Sequence, residues 1–248
     1  MSGAADLLGE FCAAVAGDLA ALAALHDKEL DAAALDQLRA AGADGLLRLR
    51  LVNPNSRDAL QFLDEALSGL PARFDEAVLD ALAADYADIY LTYGLRAAPN
   101  ESVWLDEDNL AMQAPMFEVR ALYRRHGLRA PDWRRRADDH LVHELQFLAH
   151  LMAQPTGDAL GAAADFMDEH LLLWLPDFAA RVAQRCATAL YAGVAVLTAA
   201  YLDELRELLE QILGRPRTPR AEVEERRRRA KEPEPDPVVF VPGSAPTW

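Results

Sequence analysis

The stretch Ala137-Asp138-Asp139-His140-Leu141-Val142-His143-Glu144-Leu145-Gln146-Phe147-Leu148-Ala149-His150-Leu151-Met152 contains both the fold signal and the functional signal of this chain. Leu141, Leu145, Leu148 and Met152 recur at helical spacing, which predicts an amphipathic helix with one buried stripe. Its first turns carry two aspartates, two histidines and a glutamate. A helix N-terminus favours negative charge, and one aspartate can cap the free amides, so a cap accounts for one of Asp138 and Asp139. The remaining polar groups on an otherwise apolar helix call for a ligand or for water.

The same helical period extends in both directions. Alanine and leucine dominate and β-branched residues are sparse, which points to an all-α protein with no strand. Helices are expected over about 4–24, 31–40 and 73–93, with Gly42, Gly45 and Gly94 as stops, and a helix capped by Ser56 over 56–67. Pro99, Asn100, Ser102 and Asp106 break the periodicity between Leu95 and Gln113, leaving an irregular segment around Trp104. Further helices are expected over about 115–126 and 157–172, followed by a break at Trp174-Leu175-Pro176 and two closing helices. The last has the stripe Leu190, Val194, Leu197, Tyr201, Leu205, Leu208 and Ile212. From Gly214 the chain turns polar and proline-rich, with a charged stretch over 222–231 that is compatible with helix and an irregular end from Pro233.

The whole chain carries a net charge of −15, and the body before Gly214 is more acidic still, with 17 basic against 34 acidic residues. Such a body repels nucleic acid and anionic lipid and attracts a cationic peptide. Seven of the 17 basic residues lie between Phe117 and Arg136, so a local positive zone borders the acidic helix start. Cys12 and Cys186 both fall inside apolar helical patterns and read as core residues. Asp6, Glu10 and Asp18 interrupt the apolar N-terminal segment and no basic region precedes it, so neither a signal peptide nor an integral membrane span is expected.

Metal and catalytic chemistry find little support. His143-Glu144 opens like a zinc-protease motif, but Phe147 occupies the second ligand position, and paired Glu-x-x-His motifs are missing. No serine or cysteine lies in an elbow-like turn, and no glycine-rich phosphate loop occurs. Neither metal nor cofactor is therefore expected, and no catalytic residue is assigned. On spacing alone, His140 and Glu144 form an intrahelical pair, or His140 is a satisfied, partly buried histidine.

Three motifs in order change that balance. Tyr90-Leu91-Thr92-Tyr93-Gly94 followed by Asn100-Glu101-Ser102-Val103-Trp104-Leu105-Asp106 resembles the helix end and loop of the TorD/DmsD family of redox-enzyme maturation chaperones. In that family a Glu-Ser-Val-aromatic or Gly-Ser-Val-Trp run precedes an Asp-His-Leu helix start, matched here by Asp139-His140-Leu141. The third match is Glu169-His170-Leu171-Leu172-Leu173-Trp174-Leu175-Pro176-Asp177-Phe178, with Tyr191 in the next helix. The resemblance covers residues 6–213.

It implies an all-α bundle of two subdomains, 1–126 and 138–213, joined by a hinge at 127–137, with a C-terminal extension at 214–248. It further implies a cytoplasmic, non-enzymatic chaperone. The partner would be the twin-arginine signal peptide, or the catalytic core, of a molybdopterin-containing oxidoreductase, held until cofactor insertion is complete. By resemblance Asp139 and His140 match the hinge-adjacent pair of leader recognition, and Trp104 and Ser102 match the facing loop. Two guanidinium groups followed by an apolar segment call for carboxylates beside an apolar groove. Glu101, Asp106, Asp108, Asp139 and Glu144 supply the first, and Trp104 and Phe147 supply the second unless both are core aromatics. The related assembly chaperones of non-exported nitrate-reductase catalytic subunits, and weak GTP binding, remain alternatives. A monomer with a domain-swapped dimer as a minor form is expected. The arginine-rich hinge at Arg134, Arg135 and Arg136 and the long tail depart from the family pattern.

Overall fold

In the computed structural model, which describes residues 2–231, the chain is all-α; among the described residues the only extended pairing is an isolated bridge between Asn100 and His140. The stretch around residue 140 forms α7 (Leu141–Met152), and the long N-terminal helix α1 (Ser2–Asp27) packs along it. Val15, Leu19 and Leu22 of α1 and Leu141, Leu145, Leu148 and Met152 of α7 are all fully buried. At the other side of the core α10 (Ala189–Leu213) packs against α3 (Pro54–Ser68) and α9 (Leu172–Arg185). Gly193 makes the first contact possible, since a Cβ there would lie 3.2 Å from the Leu63 Cα.

α1 is long and apolar enough to cross a membrane, with a mean hydropathy of 1.6 over Ala5–Asp27. Its polar groups show what it does in this fold. Asp18, buried mid-helix, accepts the Arg48 amide at 2.7 Å, the Leu49 amide at 2.9 Å and the Tyr201 hydroxyl at 3.2 Å. His26 bridges the Tyr90 hydroxyl at 2.5 Å and the Thr198 hydroxyl at 2.9 Å, and burial pushes its pKa down to about 3. A carboxylate and a neutral imidazole placed this way tie three distant helices together, as in a core helix.

The other helices are α2 (Ala32–Leu46), α4 (Glu76–Tyr90), α5 (Glu101–Leu105), α6 (Ala114–Arg125), α8 (Gly157–Phe166) and α11 (Arg220–Lys231). Asp31, Asp75 and Thr156 cap α2, α4 and α8 with their side chains. Gly42 at φ 68° kinks α2 instead of ending it. Ser56 is no cap: α3 starts at Pro54 behind Asn53, and the buried Ser56 hydroxyl donates to the Ala200 carbonyl at 3.3 Å. Pro54 at the first helical position needs no amide partner, which moves the start two residues upstream.

Trp174-Leu175-Pro176 is also no break. Pro176 lies inside α9, and the irregularity falls just upstream, where Met167–Leu171 form a π-helical turn between α8 and α9. Proline removes the amide that would bond the Leu172 carbonyl, a constraint that a widened turn immediately before α9 accommodates. That turn places Asp168 and His170 in the interior.

Residues 215–231 are packed against the body. The Thr218 amide donates to Asp168 at 2.9 Å, and α11 lies on the π turn with Val223 buried. Asp168 is held in turn by the Nε and a terminal nitrogen of Arg206, each at 2.9 Å, in a fully buried ion pair. The irregular end expected from Pro233 lies outside the described residues.

Candidate functional site

The loop before α5 and the start of α7 are fastened by backbone first. The Glu101 amide donates to the Asp139 carbonyl at 3.0 Å and the Leu141 amide to the Pro99 carbonyl at 2.9 Å, forming the Asn100–His140 bridge. Side chains complete the join. Asp139 does not cap its own helix; it reaches across and accepts the Ser102 amide at 2.8 Å, the first turn of α5. The Ser102 hydroxyl accepts the Met112 amide at 3.1 Å and so closes the loop behind α5. The cap of α7 is His140, whose Nδ1 accepts the Val142 amide at 3.1 Å. A ring nitrogen that accepts is unprotonated, in keeping with burial, which with the nearby Arg136 charge pulls the His140 pKa well below its ordinary value. No intrahelical pair with Glu144 forms.

Asp138 faces the other way, bonded by the Arg120 guanidinium at 2.8 Å and 3.1 Å, while its carbonyl accepts the Tyr123 hydroxyl at 3.0 Å. Arg120 lies over the Trp133 ring at 4.8 Å. His143 accounts for the last member of the quoted cluster, with Nδ1 2.9 Å from the Ala137 carbonyl. The polar start of α7 is thus consumed in fixing α5, α6 and the 127–137 connector around it.

Beneath this join lies a buried acid group. Glu101 and Glu144 are both fully buried and face each other. His170, from the π turn, places Nδ1 3.0 Å from both Glu101 oxygens, a geometry that calls for the ring proton on that nitrogen. Arg227, from α11, adds a contact at 3.2 Å. Burial alone would raise the Glu101 pKa; His170, Arg227 and the hydrogen bond from Glu144 outweigh it and hold the carboxyl below its ordinary range. Glu144 is pushed the opposite way, well above its ordinary value, by burial and then by the Glu101 charge. One Glu144 oxygen accepts the Trp174 indole N–H at 3.3 Å, and the other faces no donor. A protonated Glu144 resolves that, donating its own proton to Glu101. Burial likewise raises the Asp139 pKa, against the Ser102 hydrogen bonds that lower it.

Of the residues expected in the site, Glu101, Ser102, Asp139, His140 and Glu144 are brought together, all buried. Trp104 lies half-buried at the edge, its N–H donating to the Ala98 carbonyl at 2.8 Å, its ring 6.4 Å from Phe178 and 4.4 Å beneath Arg181. Asp106 stays apart as a loop cap for the Asp108 and Leu110 amides. Phe147 is buried one turn beyond Glu144 on α7, against Tyr123 and Phe166. It floors an apolar depression of about 200 Å³ walled by Leu128, Ala130 and Pro131 of the connector and by His143 and His150. A second groove, of about 670 Å³, runs beside α6 and is lined by Ala114, Phe117, Glu118, Ala121, Leu122, Arg125, Glu169 and His170. His170, Trp174, Glu118 and Arg227 were not assigned from sequence. His170 and Trp174 were within reach, lying in the third motif; Arg227 was not, because nothing local ties residue 227 to residue 101.

The fold and site define an all-α protein whose buried polar cluster fixes α5, α6 and the 127–137 connector around the start of α7. Comparison with known proteins places it in a family: a model of the nitrate reductase delta subunit family matches residues 51–180. The chain is also similar to the chaperone protein TorD of Vibrio cholerae serotype O1, 34% identical over 163 residues that cover 62% of this chain and 73% of the relative. It is 28% identical over 172 residues to the chaperone protein TorD of Vibrio vulnificus, covering 66% and 79% of the two chains, and 30% identical over 184 residues to that of Shewanella loihica, covering 71% and 84%. The chain belongs to the family of TorD-type chaperones. Its named relatives are chaperones.

Proposed function

We propose that this chain is a cytoplasmic maturation chaperone that binds the twin-arginine leader, or the adjoining core, of a molybdopterin-containing oxidoreductase and delays export until the cofactor is in place. The observation that supports the reading best is the convergence of the three motifs. Glu101-Ser102, Asp139-His140 and the 169–178 element meet in one buried polar group bordered by the Phe117 groove on one side and the Phe147 depression on the other. Carboxylates beside apolar surface suit two guanidinium groups followed by an apolar segment.

Asp139 and His140 act here as positioning residues. At 0% and 5% exposure they hold the α5 loop and the α7 start and leave direct contact to their neighbours. The division into subdomains 1–126 and 138–213 about a 127–137 hinge belongs to the same reading. Because α1 pairs with α7 across it, opening at the hinge uncovers that apolar face, a route to exchange between copies and a minor dimer.

The test is titration of the full chain with a twin-arginine leader peptide, read by tryptophan fluorescence, beside a peptide with both arginines replaced by lysine. Tighter binding of the arginine peptide, weakened by the double substitution Asp139→Ala and His140→Ala, is expected. Equal affinity for the two peptides, or an unaffected double variant, overturns the assignment. The family's nitrate reductase description favours one alternative, a chaperone for the core of a non-exported catalytic subunit, in which the leader does not bind and the folded subunit does.

A further inference from the structure

Four consecutive arginines, Arg226 to Arg229, lie on α11, and only two of them face the body. Arg228 and Arg229 turn back to Glu225 of their own helix. Arg226 pairs with Glu169 at 3.0 Å. Arg227 reaches Glu101 at 3.2 Å, Glu118 at 3.1 Å and the Glu169 carbonyl at 2.7 Å. An adjacent arginine pair therefore occupies the acid group, and the groove beside it, with Phe117 53% exposed, is a surface that an apolar segment following those arginines could cover.

The docking of α11 combines one largely buried pair, Arg227 to Glu101, with weaker pairs at the surface. Its single buried apolar side chain is Val223, and its other contacts are ion pairs and the Arg227 hydrogen bond to the Glu169 carbonyl; the pairs of Arg220 to Asp177 and Arg226 to Glu169 are half-exposed at both ends and screened by salt. A polar twelve-residue helix is marginal once it leaves the surface. The tether from α10 nevertheless keeps its local concentration high, so it competes with any free ligand for the same carboxylates.

Resting on the leader-binding reading above, we propose that Glu101, Glu118 and Glu169 form the subsite for the leader's arginine pair, and that Arg226 and Arg227 occupy it in the free chaperone as an internal mimic that the leader displaces. The occupant keeps Glu101 paired while the site is free and sets a threshold that weak cationic peptides do not pass.

The experiment uses the full chain, its Arg226→Ala/Arg227→Ala variant and a Val223→Asp variant that removes the apolar anchor while keeping both arginines. Each is titrated with a fluorescent twin-arginine leader and its twin-lysine control, with circular dichroism reporting the fold. If α11 is docked about nine-tenths of the time, releasing it tightens leader binding about tenfold in both variants. In the wild-type chain, leader binding is expected to raise hydrogen exchange across 220–231. Unchanged or weaker binding by the folded variants, or unchanged exchange over 220–231 in the leader-bound wild type, overturns the mimic and leaves the leader reading standing. No leader binding by any of the three proteins overturns both.

Discussion

Replacing Glu144 by glutamine should leave stability nearly unchanged in mild acid and raise it progressively toward alkaline pH. Glu144 is fully buried between the Trp174 indole and the ionised Glu101, and its pKa lies well above the ordinary 4.5. In the unfolded chain it loses its proton near that ordinary value. Between there and the raised folded value, the native state holds a proton that the unfolded state has released, so stability falls as pH rises, by up to about 1.4 kcal/mol per pH unit. Below the ordinary value both states are protonated and the contribution is fully present. Glutamine keeps a donor toward Glu101 and an acceptor for Trp174 but has no proton to lose. His26, His140 and His143, whose pKa values are lowered by burial, give the opposite slope below about pH 6.5, but they are common to both proteins and cancel in the difference. Urea unfolding of both proteins from pH 4.5 to 8.5 measures that difference. It should grow with pH and then level off; a difference that stays flat, or one in which glutamine is increasingly destabilising, would refute the shared-proton arrangement.

Two further substitutions probe the frame around the site. Asp168→Asn removes the charge facing buried Arg206 and weakens the acceptor of the Thr218 amide. It should cost about 3–5 kcal/mol in chemical unfolding, because it leaves a buried cation unpaired, and should increase protease cutting within 214–231; a loss under 1 kcal/mol with unchanged cutting would contradict it. Asp18→Ala strips two backbone amides of their acceptor and should cost about 2–4 kcal/mol by the same measurement. A neutral result would mean that α1 is not the core helix described.

The fold was legible because helical periodicity is local: the stripe on α7, Leu141, Leu145, Leu148 and Met152, is written within a turn of where it acts. What escaped was decided by tertiary partners. Asp139 looks like a cap, but the Ser102 amide lies closer to its use than its own helix does, and His140 takes the vacated role. Pro176 looks like a terminator until the π turn upstream accommodates it. The candidate residues Glu101, Ser102, Asp139, His140 and Glu144 could be named together from two motifs, yet their burial could not, nor could the opposite pKa shifts of Glu101 and Glu144. Such a shift depends on which charges face one another across 43 residues of chain.

The account rests on an arginine pair being read by carboxylates at this site, and a double-mutant cycle addresses that directly. Glu118→Gln is crossed with replacement of one leader arginine by glutamine, Glu118 being half-exposed and beside the groove, so that the variant keeps its fold. Binding measured for the four combinations should show a coupling of about 1 kcal/mol or more between the two groups for one of the leader's arginines. Additive losses, with no coupling for either arginine, would contradict the account.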